Sequence, residues 1–232
     1  MDIMDIIQNP FVLAPILGIT PALIWLLFWL REDPHPEPLR IIVLSFLLGA
    51  VVVFIALPLQ RFAYDSFITI NTALLALWAG IEELLKFSAA WLIGIHSKAD
   101  DEPIDPLIYM IIVALGFVSM ENTFFLFDPL YSGDIIGTLI TGNLRFIGAS
   151  LIHILASAMV GVFLSFSFYK KKTTQVLYGV GGLILAIALH TYFNLSIMNG
   201  DNNNLFIIFG SVWVGIIILL LLFEKIKHIK SK

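Results

Sequence analysis

Three ionisable residues, Glu82, Glu83 and Lys86, lie close together in a stretch that is otherwise apolar. The run from Ser66 to Ile95 contains no other charged residue. Charged side chains inside a membrane span are costly and are kept there for function or pairing. In a helix, Glu82 and Lys86 share a face, whereas Glu83 points about 100° away. The glutamates are therefore candidates for acid–base chemistry, with an ion pair that holds helices together as the structural alternative.

Three later apolar runs carry further polar residues of types used in catalysis. They are Glu121 with Asn122, then His153, then His190 with Asn194 one helical turn on. Glu82, Glu121, His153 and His190 each lie about fifteen residues from a predicted span end, or roughly 22 Å at 1.5 Å per residue. Successive spans run in opposite directions, so these counts converge near the centre of the bilayer. This convergence predicts one shared site.

The composition is typical of an integral membrane protein with several spans. Of 232 residues, 59% are hydrophobic and 13% are charged, and the mean hydropathy is +0.95. A soluble domain carries roughly 25% charged residues. We expect one domain over residues 1–232. The chain has no cysteine, which excludes disulfides and a cysteine nucleophile. No basic cluster interleaved with aromatics lies outside the membrane, so we expect no nucleic-acid partner.

The apolar runs predict an all-α, polytopic transmembrane helical bundle of about seven spans. The first is expected to be retained, because no Lys or Arg precedes it as in a secretory signal. Between spans, the three alternating prolines in Arg31–Arg40 predict an extended loop. His96–Asp105 is predicted to be a solvated acidic hinge. Asn199–Asn204 is predicted to be a polar turn. The spans are Phe11–Leu30, Ile41–Pro58, Phe67–Ile95, Pro106–Phe127, Ile135–Phe168, Val176–Met198 and Leu205–Phe223.

The basic residues predict the orientation of these spans. Of the 13, Lys86 and Arg145 lie within spans and Arg61 stands alone on one side. The other ten fall on the opposite side, which is expected to be cytoplasmic. This gives an N-outside, C-inside multi-pass protein of the cell membrane. The ten are Arg31, Arg40, Lys98, Lys170, Lys171, Lys172, Lys225, Lys227, Lys230 and Lys232.

The polar set suits hydrolysis of a peptide bond inside the membrane. That reaction needs a water molecule activated by a carboxylate, a metal or both, and donors for the tetrahedral oxyanion. A glutamate beside a histidine serves the first need, and His190 with Asn194 serves the second. Zinc could instead be bound by His153, His190 and a glutamate, with Glu121 as the candidate. The HExxH metalloprotease helix is absent.

Other interpretations of the same residues stay open. A proton- or ion-coupled carrier could use these groups as a relay. Arg145 is expected to neutralise a glutamate, and Asn122 alone could be interhelical packing with a hydrogen bond. A non-catalytic immunity or scaffold protein is a further alternative.

Taken together, the motifs resemble those of the PrsW family of intramembrane proteases. The resemblance runs from about the first loop through the sixth span, with the motifs in the same order. It is carried by Asp33-Pro-His-Pro-Glu-Pro, Glu82-Glu83-x-x-Lys86, Phe117-x-x-x-Glu121-Asn122, His153 and His190-x-x-x-Asn194.

The resemblance implies a helical bundle with its site inside the membrane, in a superfamily with CAAX prenyl endopeptidases and bacteriocin-immunity proteins. It implies that Glu82 activates water with help from His153, that His190 and Asn194 form the oxyanion hole, and that Glu83 and Lys86 support the first motif. The expected substrate is a single-span membrane protein of the anti-sigma-factor kind. The CAAX relatives have a histidine where this chain has Glu121. Zinc and a metal-free glutamate mechanism both stay open, and a CAAX-type prenyl endopeptidase is the alternative enzyme.

Overall fold

A computed structural model describes residues 9–67, 69–95, 97–199 and 205–230. Within these residues all regular secondary structure is helical. The π-helical turn Trp91–Ile95 extends α3, and a second one, Arg145–Ala149, joins α5 to α6. The described residues therefore form seven continuous helical segments, the number that the apolar runs predict. The α-helices are α1 Pro10–Glu32, α2 Leu39–Asp65, α3 Thr72–Ala90, α4 Asp105–Tyr131, α5 Ile135–Leu144, α6 Ser150–Ser167, α7 Lys172–Asn199 and α8 Leu205–Lys227.

Two helix boundaries differ from the sequence prediction in ways that matter for the site. Helix α3 begins at Thr72, because the side chain of Asn71 accepts the backbone N–H of Leu74 and caps the helix there. Helix α2 does not end at Pro58 but continues to Asp65. The loop predicted at Arg31–Arg40 is present but shorter, because only residues 33–38 lie outside the helices. The predicted polar turn falls largely on residues 200–204, outside the described residues.

Six helical segments of the described chain are long and apolar enough to cross a membrane. Helix α3 is the exception because Glu82, Glu83 and Lys86 lie within its 19 residues. The protein is therefore a multi-pass membrane protein, and its orientation remains a prediction. The six are Pro10–Glu32, Leu39–Asp65, Asp105–Tyr131, Ile135–Ser167, Lys172–Met198 and Leu205–Lys227.

Helices α4 and α6 form the centre of the bundle. Every residue of α4 from Leu107 to Val118 is buried, as is every residue of α6 from Ser150 to Val162. Helix α4 packs against α1, α2 and α6, and α6 packs also against α7 and α8. Gly116 of α4 lies so close to the backbone of Phe46 that a Cβ would overlap it. Such small residues let membrane helices approach closely.

The acidic hinge is less solvated than the sequence suggests. Asp105 is 2% exposed, and its Oδ2 accepts the backbone N–H groups of Asp101 at 2.8 Å and Glu102 at 2.6 Å. The prediction of a solvated hinge is therefore wrong for Asp105, because its carboxyl group is turned back onto the backbone of the segment that precedes α4. His35 of the proline loop is exposed, as expected, and its Nδ1 lies 2.8 Å from Glu102. His96 lies outside the described residues.

Candidate active site

Four helices bring ionisable side chains into one hydrogen-bonded network in the bundle. Helix α3 contributes Glu82, Glu83 and Lys86, α4 contributes Glu121, and α6 and α7 contribute a histidine each, His153 and His190. All except the half-buried Glu121 are at most 5% exposed. Buried charged groups are tolerated when they are paired and hydrogen-bonded, which is the case here.

The two adjacent glutamates have different surroundings. Glu83 is fully buried and is held by three partners: Lys86 Nζ at 2.8 Å, Ser157 Oγ at 2.6 Å and His190 Nδ1 at 3.0 Å. Glu82 lies on the wall of a cavity. The two therefore divide as the 100° helical offset predicts, with Glu82 toward the open space and Glu83 toward neighbouring helices.

The partners of each histidine indicate which ring nitrogen carries a proton. A carboxylate only accepts hydrogen bonds, so Nδ1 of His190 donates to Glu83, and Nε2 points toward Oε2 of Glu82 at 3.8 Å. An ammonium only donates, so Nδ1 of His153 accepts from Lys86 at 2.7 Å. Nε2 of His153 then donates to Glu121 at 3.0 Å.

Arg145 holds the second carboxylate motif together. Its Nη2 donates to Glu121 Oε2 and its Nε donates to Asn122 Oδ1. Its guanidinium also lies over the ring of Phe125, 4.0 Å from the centroid. Nδ2 of Asn122 in turn donates to Ser150 at 3.3 Å. Arg145 is the first residue of the π-helical turn before α6.

The cavity beside this network has a volume of about 550 Å³. Asn194, one turn after His190 on α7, lies on its wall and is half-buried. Its remaining walls are mainly apolar and aromatic. The polar lining residues are Gln60, Glu82, Glu121, Arg145, His153, His190 and Asn194.

Gln60 belongs to this site and was missed by the sequence prediction. Its Nε2 donates to Oε1 of Glu82 at 2.8 Å, and its backbone oxygen accepts from Trp78 Nε1 at 3.0 Å. The prediction ended the second span at Pro58, two residues earlier. A predicted helix extended past Pro58 would have included Gln60, and its polar side chain would then have been placed beside the polar groups of the other spans.

Oε2 of Glu82 and Nε2 of His190 are 3.8 Å apart. That distance is too long for a direct hydrogen bond, so each atom keeps the capacity to accept a hydrogen bond from water in the cavity. Both residues line the cavity, so a water molecule that contacts both of these atoms would face any molecule bound in the cavity. A carboxylate in this position can act as a general base.

Comparison with known proteins assigns the family. Residues 37–223 match the sequence model described as PrsW family intramembrane metalloprotease. The chain belongs to the PrsW family. It is 27% identical over 158 residues to the Protease PrsW of Geobacillus kaustophilus. The matched residues are 67% of this chain and 65% of that relative, so the chain covers just under two thirds of the relative's length. No solved structure matches.

Two further relatives are covered more fully. The Protease PrsW of Oceanobacillus iheyensis is 27% identical over 186 residues, 76% of this chain and 79% of the relative. That of Clostridioides difficile is 26% identical over 195 residues, 79% of this chain and 78% of the relative. The resemblance to PrsW proteins that the motifs indicate is thus confirmed, whereas the wider superfamily with CAAX endopeptidases remains a prediction.

The family description implies a metal, and the donor types at the site suit one. Glu82, His153 and His190 each offer a ligand atom within 4.8 Å of the others and could hold a metal ion. Glu121, the predicted third ligand, instead contacts Nε2 of His153, which is the ring nitrogen other than the one that faces Glu82. As placed, however, the donors do not fit an ion, because the lone pair of His153 Nδ1 is already engaged by Lys86.

Proposed function

We propose that this PrsW-family chain is an intramembrane endopeptidase that hydrolyses a membrane-anchored protein with a single transmembrane segment. The observation that carries the proposal is the position of Glu82 Oε2 and His190 Nε2, 3.8 Å apart, on the wall of the cavity of about 550 Å³. It combines a carboxylate base, room for water and neighbouring hydrogen-bond donors.

The cavity walls support a peptide substrate taken from the membrane. Phe124, Phe125, Phe193 and Phe209 line the same space as the polar groups. An apolar wall with a few convergent polar groups is the usual composition of a binding site. We propose that the aromatic side chains contact the apolar side chains of the substrate, while its peptide bond lies against Glu82.

In the proposed reaction Glu82 takes a proton from the water molecule held beside it. The water oxygen forms a bond to the substrate's carbonyl carbon, and the carbonyl oxygen becomes an oxyanion. Glu82 then passes its proton to the amide nitrogen as the carbon–nitrogen bond breaks. The products are a carboxyl group and an amine, so one water molecule is consumed and Glu82 returns to its starting state.

Asn194 and His190 are the proposed donors to the oxyanion. Asn194 donates through Nδ2. His190 already carries a proton on Nδ1 for Glu83, so donation from Nε2 requires its imidazolium form, whose charge Glu83 balances. His153 keeps its place beside Glu82 through Lys86 and Glu121. No step passes through a metal ion.

The test uses the purified protein in liposomes with a single-span substrate that carries a reporter on each side of the membrane. Glu82→Gln is expected to lower the cleavage rate by about 10² to 10⁴, the contribution of a general base. Glu224→Gln, at an exposed carboxyl near the end of α8, is the control and should cleave at the parent rate. Cleavage by Glu82→Gln at the parent rate would show that Glu82 is not the base. Cleavage of a prenylated C-terminal peptide alone would instead assign a CAAX-type activity.

A further inference from the structure

We propose that the ammonium group of Lys86 takes the place of a catalytic metal ion in this site, because it contacts the histidine and glutamate atoms that would bind such an ion. On this proposal the protein holds no metal ion in the site. The relevance of this proposal to hydrolysis rests on the proposed function. The contacts of Lys86 with the atoms that would bind a metal ion do not.

The surroundings of Lys86 are those of a bound cation. Its Nζ lies 2.7 Å from His153 Nδ1, 2.8 Å from Glu83 Oε1 and 3.4 Å from Glu82 Oε2. It also lies over the ring of Phe117, 4.3 Å from the centroid, where a cation is attracted to the aromatic face. The side chain is fully buried, so these contacts replace its hydration.

The contact with His153 decides between Lys86 and a metal. An imidazole nitrogen without a proton has one in-plane lone pair, which can accept a hydrogen bond or bind a metal ion but not both. The nitrogen that faces Glu82 is Nδ1, at 3.8 Å, and this is the nitrogen that Lys86 engages. The other nitrogen, Nε2, is engaged by Glu121.

Charge acts in the same direction. The ammonium lies within 3.4 Å of donors on both Glu82 and His153, two of the three groups that could hold an ion. A divalent ion among these donors would sit beside a fixed positive charge in a buried place, where like charges repel strongly. Lys86 therefore opposes metal binding by repulsion as well as by occupying the lone pair.

Apart from Lys86, the surroundings are those of a zinc site. Two histidines and a carboxylate with an open position are a catalytic zinc arrangement. The outer nitrogen of each histidine contacts a carboxylate, Glu121 for His153 and Glu83 for His190, as in metal sites where such partners orient the ligands. Replacing Lys86 by an uncharged side chain is thus expected to create a zinc site.

The experiment measures metal binding to the purified, detergent-solubilised protein after chelator treatment and dialysis against Zn²⁺ or Co²⁺. The parent is expected to retain no stoichiometric metal by elemental analysis. Lys86→Met, which keeps the length and removes the charge, should bind one equivalent, with the visible absorption of four-coordinate Co²⁺. Adding His190→Ala should abolish that binding. Lys86→Arg keeps the charge and should bind none.

Two measurements keep the proposal testable if Lys86→Met does not fold. Glu83→Gln/Lys86→Met removes one charge of each sign and leaves the buried site balanced. The parent alone provides the other measurement, because its metal content and its response to chelators need no variant. One equivalent of zinc in the parent that Glu82→Gln or His190→Ala removes would overturn the proposal.

The outcomes also separate this proposal from the proposed function. A metal-free parent that cleaves no membrane-anchored substrate would refute the proteolysis and leave the role of Lys86 in place. A parent that cleaves only with zinc bound would refute the role of Lys86 and leave the proteolysis in place.

Discussion

Oε1 of Glu83 lies 3.0 Å from Nδ1 of His190, and this contact separates the roles of two adjacent glutamates. It turns the other ring nitrogen, Nε2, toward Oε2 of Glu82. The same carboxyl group accepts from Lys86 and Ser157. Glu83 therefore holds its hydrogen-bond partners in position, whereas Glu82 faces the cavity.

Substitution of the two glutamates is expected to separate stability from activity. Glu83→Gln removes the charge opposite a fully buried ammonium, and breaking a buried ion pair costs about 3–5 kcal/mol. We expect a clearly lower unfolding temperature in detergent for Glu83→Gln and a smaller change for Glu82→Gln, which should lose cleavage. Thermal unfolding of both variants beside the parent is the measurement. Equal loss of stability in both would contradict the division of roles.

Gln60 is expected to act as a positioning residue for Glu82. Its amide holds Oε1 of Glu82, so Oε2 is the oxygen left toward the histidines. Gln60→Leu removes this hydrogen bond, and a displaced catalytic group can lose about 10²-fold in rate. We expect kcat to fall by roughly ten- to a hundredfold with little change in KM.

The control for Gln60 is the same substitution at a glutamine away from this cavity. Gln175 donates to the backbone oxygen of Phe168 at 2.7 Å, and Gln175→Leu should cleave at the parent rate. If Gln60→Leu raised KM and left kcat unchanged, Gln60 would be a substrate contact and not a positioning residue.

The sequence predicted the number of helical segments because most are long apolar runs with polar residues at their ends, but it misplaced the end of α2 and the start of α3. It could not decide which glutamate faces the cavity, because that depends on the rotation of α3 against its neighbours. The contact of Lys86 with His153 joins residues 67 positions apart, and no local pattern encodes it. Gln60 was missed because a proline usually ends a helix, whereas α2 accommodates Pro58 in its interior.

The close contact between α2 and α4 gives a prediction about stability. A Cβ at Gly116 would overlap the backbone carbonyl of Phe46, and a backbone group cannot move aside as a side chain can. Gly116→Ala is therefore expected to destabilise the bundle by about 1–3 kcal/mol, the cost of overpacking. Gly210 of α8 has open space where its Cβ would lie, so Gly210→Ala should be neutral or slightly stabilising. Chemical or thermal unfolding of both variants tests this, and equal stability would contradict the close contact.

Asp100, between α3 and α4, gives a prediction about pH. Burial, with repulsion from Asp105 and Asp101, raises the pKa of Asp100 from 3.8 to about 7, although Lys172 opposes the shift. One of its oxygens, Oδ1, is buried without a hydrogen-bond partner among the described residues. The folded state thus binds a proton more tightly than the unfolded state does. Its stabilising contribution is complete below about pH 4 and is lost as the pH rises to about 7.

Asp100→Asn is expected to remove this dependence, because an amide carries no charge at either pH. The unfolding temperature of the parent should fall more between pH 5 and pH 8 than that of the variant, by the pH-dependent part assigned to Asp100. Asp128→Asn makes the same substitution at an exposed position near the end of α4 and should follow the parent across this range. If Asp100→Asn also followed the parent, the buried carboxyl would not be the group that titrates.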